Sequence, residues 1–133
     1  MLVLVALLAV VPACGGPRPC TLIGAEPGVE FRLDGILAGA SGPVRATGCV
    51  EAYCVTRTFD ATSVPLFIVD NPGIRGPREV LVGLRVTGAS GRRIFDASAR
   101  VRLHRVQPNG PGCPPTVYAA TVTATTSGEL RPQ

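Results

Sequence analysis

The stretch Glu79–Leu103, EVLVGLRVTGASGRRIFDASARVRL, decides the fold. In its first half Val80, Val82, Leu84 and Val86 alternate with Leu81, Gly83, Arg85 and Thr87. In its second half Phe95, Ala97, Ala99, Val101 and Leu103 alternate with Ile94, Asp96, Ser98, Arg100 and Arg102. An apolar residue at every second position is the pattern of a strand with one buried face. Ser90-Gly91 breaks the run and supplies the turn. Setting Ala89 opposite Arg92 puts Val86 against Phe95, Leu84 against Ala97, Val82 against Ala99 and Val80 against Val101. The other face then pairs Arg85 with Asp96, a charge complement worth ~0.2–1 kcal/mol. A slip of one residue would turn the whole apolar row to water, so this register is strongly specified.

Outward from this hairpin, short strand-like runs recur at about ten-residue intervals, the spacing of a sandwich or barrel. They are Thr21–Ile23, Val29–Leu33, Val44–Cys49, Tyr53–Phe59, Leu66–Val69, Glu79–Thr87, Ile94–Leu103 and Val117–Thr125. Between them lie Glu26-Pro27-Gly28, Ser41-Gly42-Pro43, Asn71-Pro72-Gly73 and Asn109-Gly110-Pro111, each with Gly for positive φ or Pro for a preset φ. Val29, Phe31 and Leu33 make one apolar face, as do Tyr118, Ala120, Val122 and Ala124. Leu66-Phe67-Ile68-Val69 is apolar throughout and is expected to be buried on both sides. Gly35–Ala40 allows one loose helical turn, and no longer helix is expected.

Leu2–Val11 is an unbroken apolar run of ten residues. A membrane-spanning helix needs about 20, so the run reads as the core of a signal peptide. It ends at Val11-Pro12-Ala13-Cys14, which resembles a bacterial lipobox, with cleavage before a lipidated Cys14. Val11 and Ala13 would also suit ordinary secretory cleavage. The chain has 5 Cys, and lipid on Cys14 leaves an even set for disulfides. Residues 1–13 are then a signal peptide, 14–19 a lipidated tether, and 20–133 one β-sandwich domain. Of the three possible pairings, Cys49–Cys54 with Cys20–Cys113 is favoured. Cys49 and Cys54 flank the loop Val50-Glu51-Ala52-Tyr53 between two strand-like runs, and both fall on the polar face. Arg57 is a misfit, sharing a row with Val55 and Phe59. A four-thiolate zinc site would want close pairs at two-residue spacing, and Cys20 and Cys113 have no near partner.

Composition excludes several chemistries. All 13 basic residues are Arg, and the chain holds 1 His and 1 Met. There is no Lys for a Schiff base or a phosphate-binding loop, and no multi-His metal site. No cofactor is expected. Ser41 and Ser90 both sit in Gly-Ala-Ser-Gly, whereas a nucleophile elbow needs Gly two places to each side, so both read as turns. His104 follows Arg100 and Arg102 on an outward row and reads as a solvated residue. Arg92, Arg93, Arg100 and Arg102 form a candidate patch for an anionic envelope component; the competing reading is a solvated sheet face. Nucleic acid is not expected, because no aromatic residues interleave with these Arg.

The lipobox, Pro19-Cys20-Thr21-Leu22-Ile23-Gly24-Ala25 followed by Pro27-Gly28-Val29, the close pair Cys49 and Cys54, the Gly91-Arg92-Arg93 turn and Gln107-Pro108-Asn109-Gly110-Pro111-Gly112-Cys113 occur in that order. The chain resembles the small secreted lipoproteins of high-GC actinobacteria. That resemblance implies export, anchoring at the extracytoplasmic face of the cell membrane and an immunoglobulin-like two-sheet β-sandwich of about 7–8 antiparallel strands with two disulfides. It supplies no catalytic residues. The expected function is non-enzymatic binding or scaffolding at the cell surface. The alternatives are a small-molecule binder or hydrolase built from loops, or an accessory subunit of an envelope complex.

Overall fold

The computed structural model describes Gly16 and residues 18–133. The signal segment and Cys14 lie outside the described residues. The chain forms β1 (Gly28–Arg32), a short α1 (Asp34–Leu37), β2 (Val44–Val50), β3 (Tyr53–Phe59), β4 (Leu66–Val69), β5 (Glu79–Thr87), β6 (Arg93–Arg102), β7 (His104–Val106), β8 (Val117–Ala124) and β9 (Leu130–Pro132). One sheet has the order β3-β2-β5-β6; the other runs β4-β1-β8, and the far edge of β8 is shared by β7 and β9. This is the expected two-sheet sandwich. The short strands β7 and β9 extend the expected set, and β1 runs parallel to β8, with Val29 beside Ala120 and Phe31 beside Val122.

The β5–β6 hairpin adopts the register that its apolar alternation dictates. Val80 pairs with Val101, Val82 with Ala99, Leu84 with Ala97, Val86 with Phe95, and Arg85 with Asp96. The tip departs from expectation. The register shifts beyond Val86, so that Thr87 pairs with Arg93 and the Gly88 N–H donates to the Arg92 carbonyl at 2.8 Å. Ala89 therefore does not face Arg92. Ile94 is the extra residue of a bulge, which a hairpin loop with Gly91 at φ 80° accommodates.

Three further expectations are corrected. Thr21–Ile23 is not a strand: the Asn109 side-chain amide takes both backbone groups of Ile23, accepting from its N–H at 3.0 Å and donating to its carbonyl at 2.9 Å. A segment whose backbone is satisfied by a side chain has no need of a sheet. β4 is an edge strand buried on one side, with Phe67 and Val69 inside, Leu66 exposed and Ile68 half-buried. The β2–β3 connection is tighter than four residues. Val50 pairs with Tyr53, leaving a loop of Glu51 and Ala52, with Glu51 at φ 54°. The Glu51 N–H donates to the Leu81 carbonyl, and its carboxylate accepts from the Leu81 N–H, which holds the strained residue in place.

Both disulfides form as expected. Cys49 and Cys54 are cross-strand partners 4.0 Å apart at Cα, and Cys20 joins Cys113 across 93 residues at 5.6 Å. Arg57 lies opposite buried Ala46 yet remains exposed, because β3 is the edge of its sheet.

The core is closed by aromatic rings on a glycine. Phe31 of β1 and Phe67 of β4 stack at 5.3 Å between centroids, and Phe59 tilts against Phe67 at 5.7 Å. These rings cover Gly48 of β2, where a Cβ would lie 2.8 Å from Phe67 Cζ and 3.1 Å from Phe31 Cε2. Gly83 of β5 points the other way, and a Cβ there meets nothing within 4 Å. Gly48→Ala is expected to lower stability by ~1–3 kcal/mol through overpacking. Gly83→Ala is expected to raise it by ~0.5–1 kcal/mol, by restricting the unfolded chain. Urea unfolding of the two variants side by side checks both signs.

Candidate functional site

The pairings place the loops at two poles. Residues 18–27, the Glu51–Ala52 turn, the 70–78 segment and the 107–116 loop gather at the lower pole. The α1–β2 segment, the 60–65 loop, the 88–92 turn and the 125–129 turn gather at the upper pole.

The lower pole is where the N-terminal segment enters. It is held by Cys20–Cys113 and by Asn109, whose side chain also donates to the Pro114 carbonyl at 2.6 Å and meets the Thr21 hydroxyl. Between these fixed points Leu22 is 99% exposed and Ile23 57%. Segments 20–25 and 107–116 contain no charged residue. The charges that flank them in sequence are Arg18, Glu26 and Arg105, and the other segments of this pole carry Glu51, Asp70, Arg75 and Arg78.

The upper pole carries two open clefts that share the wall Ala40, Gly42, Pro43 and Val44. The first holds about 630 Å³, with an apolar floor that includes Leu37, Val44 and Phe59, and with Asp34, Asp60 and Ser63 among its polar lining. Asp60 is committed to its own turn. Its Oδ1 accepts from the Thr62 N–H at 2.8 Å, the Thr62 hydroxyl at 2.7 Å and the Ser63 hydroxyl at 3.0 Å. The second cleft holds about 530 Å³ between the α1–β2 segment and the β5–β6 turn. Ser41, Ser90, Arg92 and Arg93 line it, and no carboxylate does.

The four arginines of the sequence-derived patch do not converge. Arg93 and Arg100, both on β6, stand ~23 Å apart at the usual rise per strand residue. Arg92 and Arg93 belong to the upper pole; Arg100 and Arg102 run toward the lower one. Asp96 holds Arg93 at 3.1 Å and Arg85 at 3.3 Å, and Glu79 lies 3.6 Å from Arg100. Among the described residues, Arg92 and Arg102 have no ion pair. His104 is exposed on β7. The sequence reading missed the meeting of Ser41 and Ser90 at one cleft. The visible signal was the repeated Gly-Ala-Ser-Gly at 39–42 and 88–91, whose joint location depends on long-range pairing.

Among the described residues no group of three or more His, Cys, Asp or Glu is placed to hold a metal, and no helix is long and apolar enough to cross a membrane. Comparison with known proteins gives no family model, no curated relative and no solved structure that matches the chain.

The hydrogen bonds of Thr62, and then of Ser63, hold the Asp60 carboxyl below the usual aspartate range. A depressed carboxylate contributes stability at pH values above that range, and the contribution is lost as pH falls through the lower folded value. Thr62→Val is therefore expected to raise the Asp60 pKa and to shrink the acid-labile part of the stability. An NMR titration of the Asp60 side-chain carbon in both proteins measures the shift.

Proposed function

We propose that the chain is a lipid-anchored, extracytoplasmic β-sandwich that binds without catalysis, holding its lower pole to the membrane and offering the arginine-lined cleft of its upper pole to an anionic component of the envelope. The observation that carries this reading is the separation of the two poles. The N-terminal segment joins the domain through Cys20–Cys113 at one end, where the surface holds a cavity of about 240 Å³ beside Asp70 and Arg75, and the two larger clefts, of about 630 and 530 Å³, lie at the other. Five residues lie between Cys14 and Cys20, so the six steps reach at most about 20 Å. A lipid on Cys14 would thus keep the lower pole close to the bilayer and the clefts away from it. Two disulfides suit an oxidising compartment outside the cytoplasm.

The likeness to small secreted lipoproteins of high-GC actinobacteria points the same way and names no ligand. The apolar floor of the 630 Å³ cleft favours a second reading, a small-molecule binder, because pockets of that size with apolar walls and a few polar groups suit such ligands.

The lower pole is suited to face lipid. Leu22 is held outward between a disulfide and a side-chain clamp, so its exposure is a property of the fixed loop and not of a waving terminus. Segments 20–25 and 107–116 are uncharged, and the rest of this pole carries Arg18, Arg75 and Arg78 together with Glu26, Glu51 and Asp70, so the uncharged loops are the part that suits the acyl-chain boundary.

Metabolic labelling with a radioactive fatty acid is expected to mark the wild-type chain and to leave Cys14→Ser unlabelled and in the aqueous phase. Equal aqueous partition of the two proteins would refute the anchor. The chain has 0 Trp, so Leu22→Trp gives a single fluorescent reporter. In vesicles carrying a bilayer-resident quencher its emission is expected to shift to the blue and to be quenched, while a tryptophan at Ala89 of the upper pole stays bright.

A further inference from the structure

We infer that the 530 Å³ cleft of the upper pole is an oxyanion site, built from the two Gly-Ala-Ser-Gly turns and Arg92, that takes a phosphate or carboxylate group of its ligand. This deepens the binding reading above and rests on it, but does not depend on the lipid anchor.

The tetrapeptide occurs at Gly39–Gly42 and again at Gly88–Gly91, in segments joined to different strands. β2 and β5 are antiparallel neighbours, with Arg45 beside Thr87, so the segment entering β2 and the segment leaving β5 emerge side by side. Gly39, Ala40, Ser41 and Gly42 therefore stand across one cleft from Gly88, Ala89 and Ser90. Each turn is held in shape by its own backbone: Ala40 N–H donates to the Leu37 carbonyl at 3.0 Å, and Gly91 N–H to the Gly88 carbonyl at 2.9 Å.

Both turns leave hydrogen-bond donors free at the cleft. Ser41, Gly42, Ala89 and Ser90 are exposed, and among the described residues the two Ser hydroxyls and these four N–H groups make no hydrogen bond within the protein, so a ligand has only water to displace. Small residues at these turns leave the backbone open to close approach, and a Cβ built on Gly39, Gly42 or Gly91 meets nothing within 4 Å. The charge is one-sided. Among the described residues Arg92 has no ion pair, Arg93 is held by Asp96 at 3.1 Å, and no carboxylate lines the cleft. The neighbouring cleft, which carries Asp34 and Asp60, is separated from it by the Ala40–Val44 wall. A guanidinium fork with hydroxyl and amide donors on two sides is the donor set that recognises an oxyanion.

The bulge at Ile94 contributes to this arrangement. By adding one residue to β6 just after the turn, it shifts the register between Thr87 and Arg93, which sets the two arginines relative to the β5 strand.

The test is an NMR titration of the full-length chain in detergent micelles with inorganic phosphate, polyphosphate and polyaspartate in turn. Saturable amide shifts are expected at Ser41, Gly42, Ser90 and Arg92. Arg92→Gln is expected to weaken binding about tenfold, as the loss of a charge-assisted hydrogen bond does. Ser41→Ala with Ser90→Ala is expected to weaken it by a similar factor. Arg102→Gln, which removes an equal charge from the other end of β6, is expected to leave the affinity unchanged. Binding of the phosphate probes alone, or of polyaspartate as well, both support the site and identify the group that it prefers. Shifts scattered along β6, equal losses in Arg92→Gln and Arg102→Gln, or no saturation with any probe would overturn it. The anchor is read separately by the fatty-acid label, so failure of one leaves the other standing.

Discussion

The contact of the Phe31 and Phe67 rings with the bare backbone of Gly48 sets the distance between the two sheets. Phe31 and Phe67 come from neighbouring strands of one sheet, and Gly48 from an inner strand of the other. Protein interiors are packed too closely to absorb even one added methyl without movement. A chain with 4 Phe and 0 Trp has few large side chains with which to fill a core. It concentrates three of the four at one level and gives them a flat floor. Beside Leu33, Leu84, Leu103, Leu130 and Phe95, most of the remaining interior is β-branched or small, as at Val29, Val80, Val82, Val86, Val122 and Ala46. These pack well on pleated surfaces and lose little side-chain entropy on burial.

The parts of the fold that were legible in the sequence are those governed by local period and short separations. Val80 to Val86 and Phe95 to Val101 specify their own pairing, because only one register buries both rows. Cys49 and Cys54 specify theirs, because the strands that carry them are joined by a tight turn. What could not be read depends on distant partners. The parallel contact of β1 with β8 joins the two ends of the domain, and nothing in Val29–Leu33 or Val117–Thr125 names the other. The crossing from one sheet to the other at Leu103 is equally silent: the alternation simply continues through Arg102 and Leu103 into His104. Only the donation of the Leu103 N–H to the Arg78 carbonyl marks the transfer. Thr21–Ile23 has the composition of a strand, yet Asn109, more than eighty residues away, satisfies its backbone instead.

The candidate site divides in the same way. The residue types were visible: an arginine pair at the hairpin tip and a repeated Gly-Ala-Ser-Gly. Taken one at a time, each stretch reads as an ordinary turn, and that reading is correct as far as local structure goes. The site arises because β2 and β5 are adjacent, a pairing set by Gly48 against Leu84 and Ala46 against Val86 in the core. The grouping of Arg100 and Arg102 with Arg92 and Arg93 failed for a related reason. Sequence proximity along an extended strand is not spatial proximity: at 3.3 Å per residue a strand soon carries its charges to opposite ends of the domain.

The two disulfides act on different terms of the stability. In the chain-entropy account, Cys49–Cys54 closes so short a loop that it contributes only ~2 kcal/mol, and the β2–β3 ladder already holds its two residues together. Cys20–Cys113 spans 93 residues and contributes ~4.7 kcal/mol on the same account. Among the described residues it is also the one disulfide that ties the N-terminal segment to the rest of the sandwich, and along the backbone β1 begins only eight residues later, at Gly28. Any pull on the N-terminal segment is therefore delivered to the 107–116 loop and, through β8, to the centre of one sheet, where β8 lies between β1 and the β7–β9 edge. A domain loaded at Cys20 without that bond would first lose residues 20–27, whose backbone is held chiefly by one asparagine. With the bond, the load reaches a strand paired on both sides.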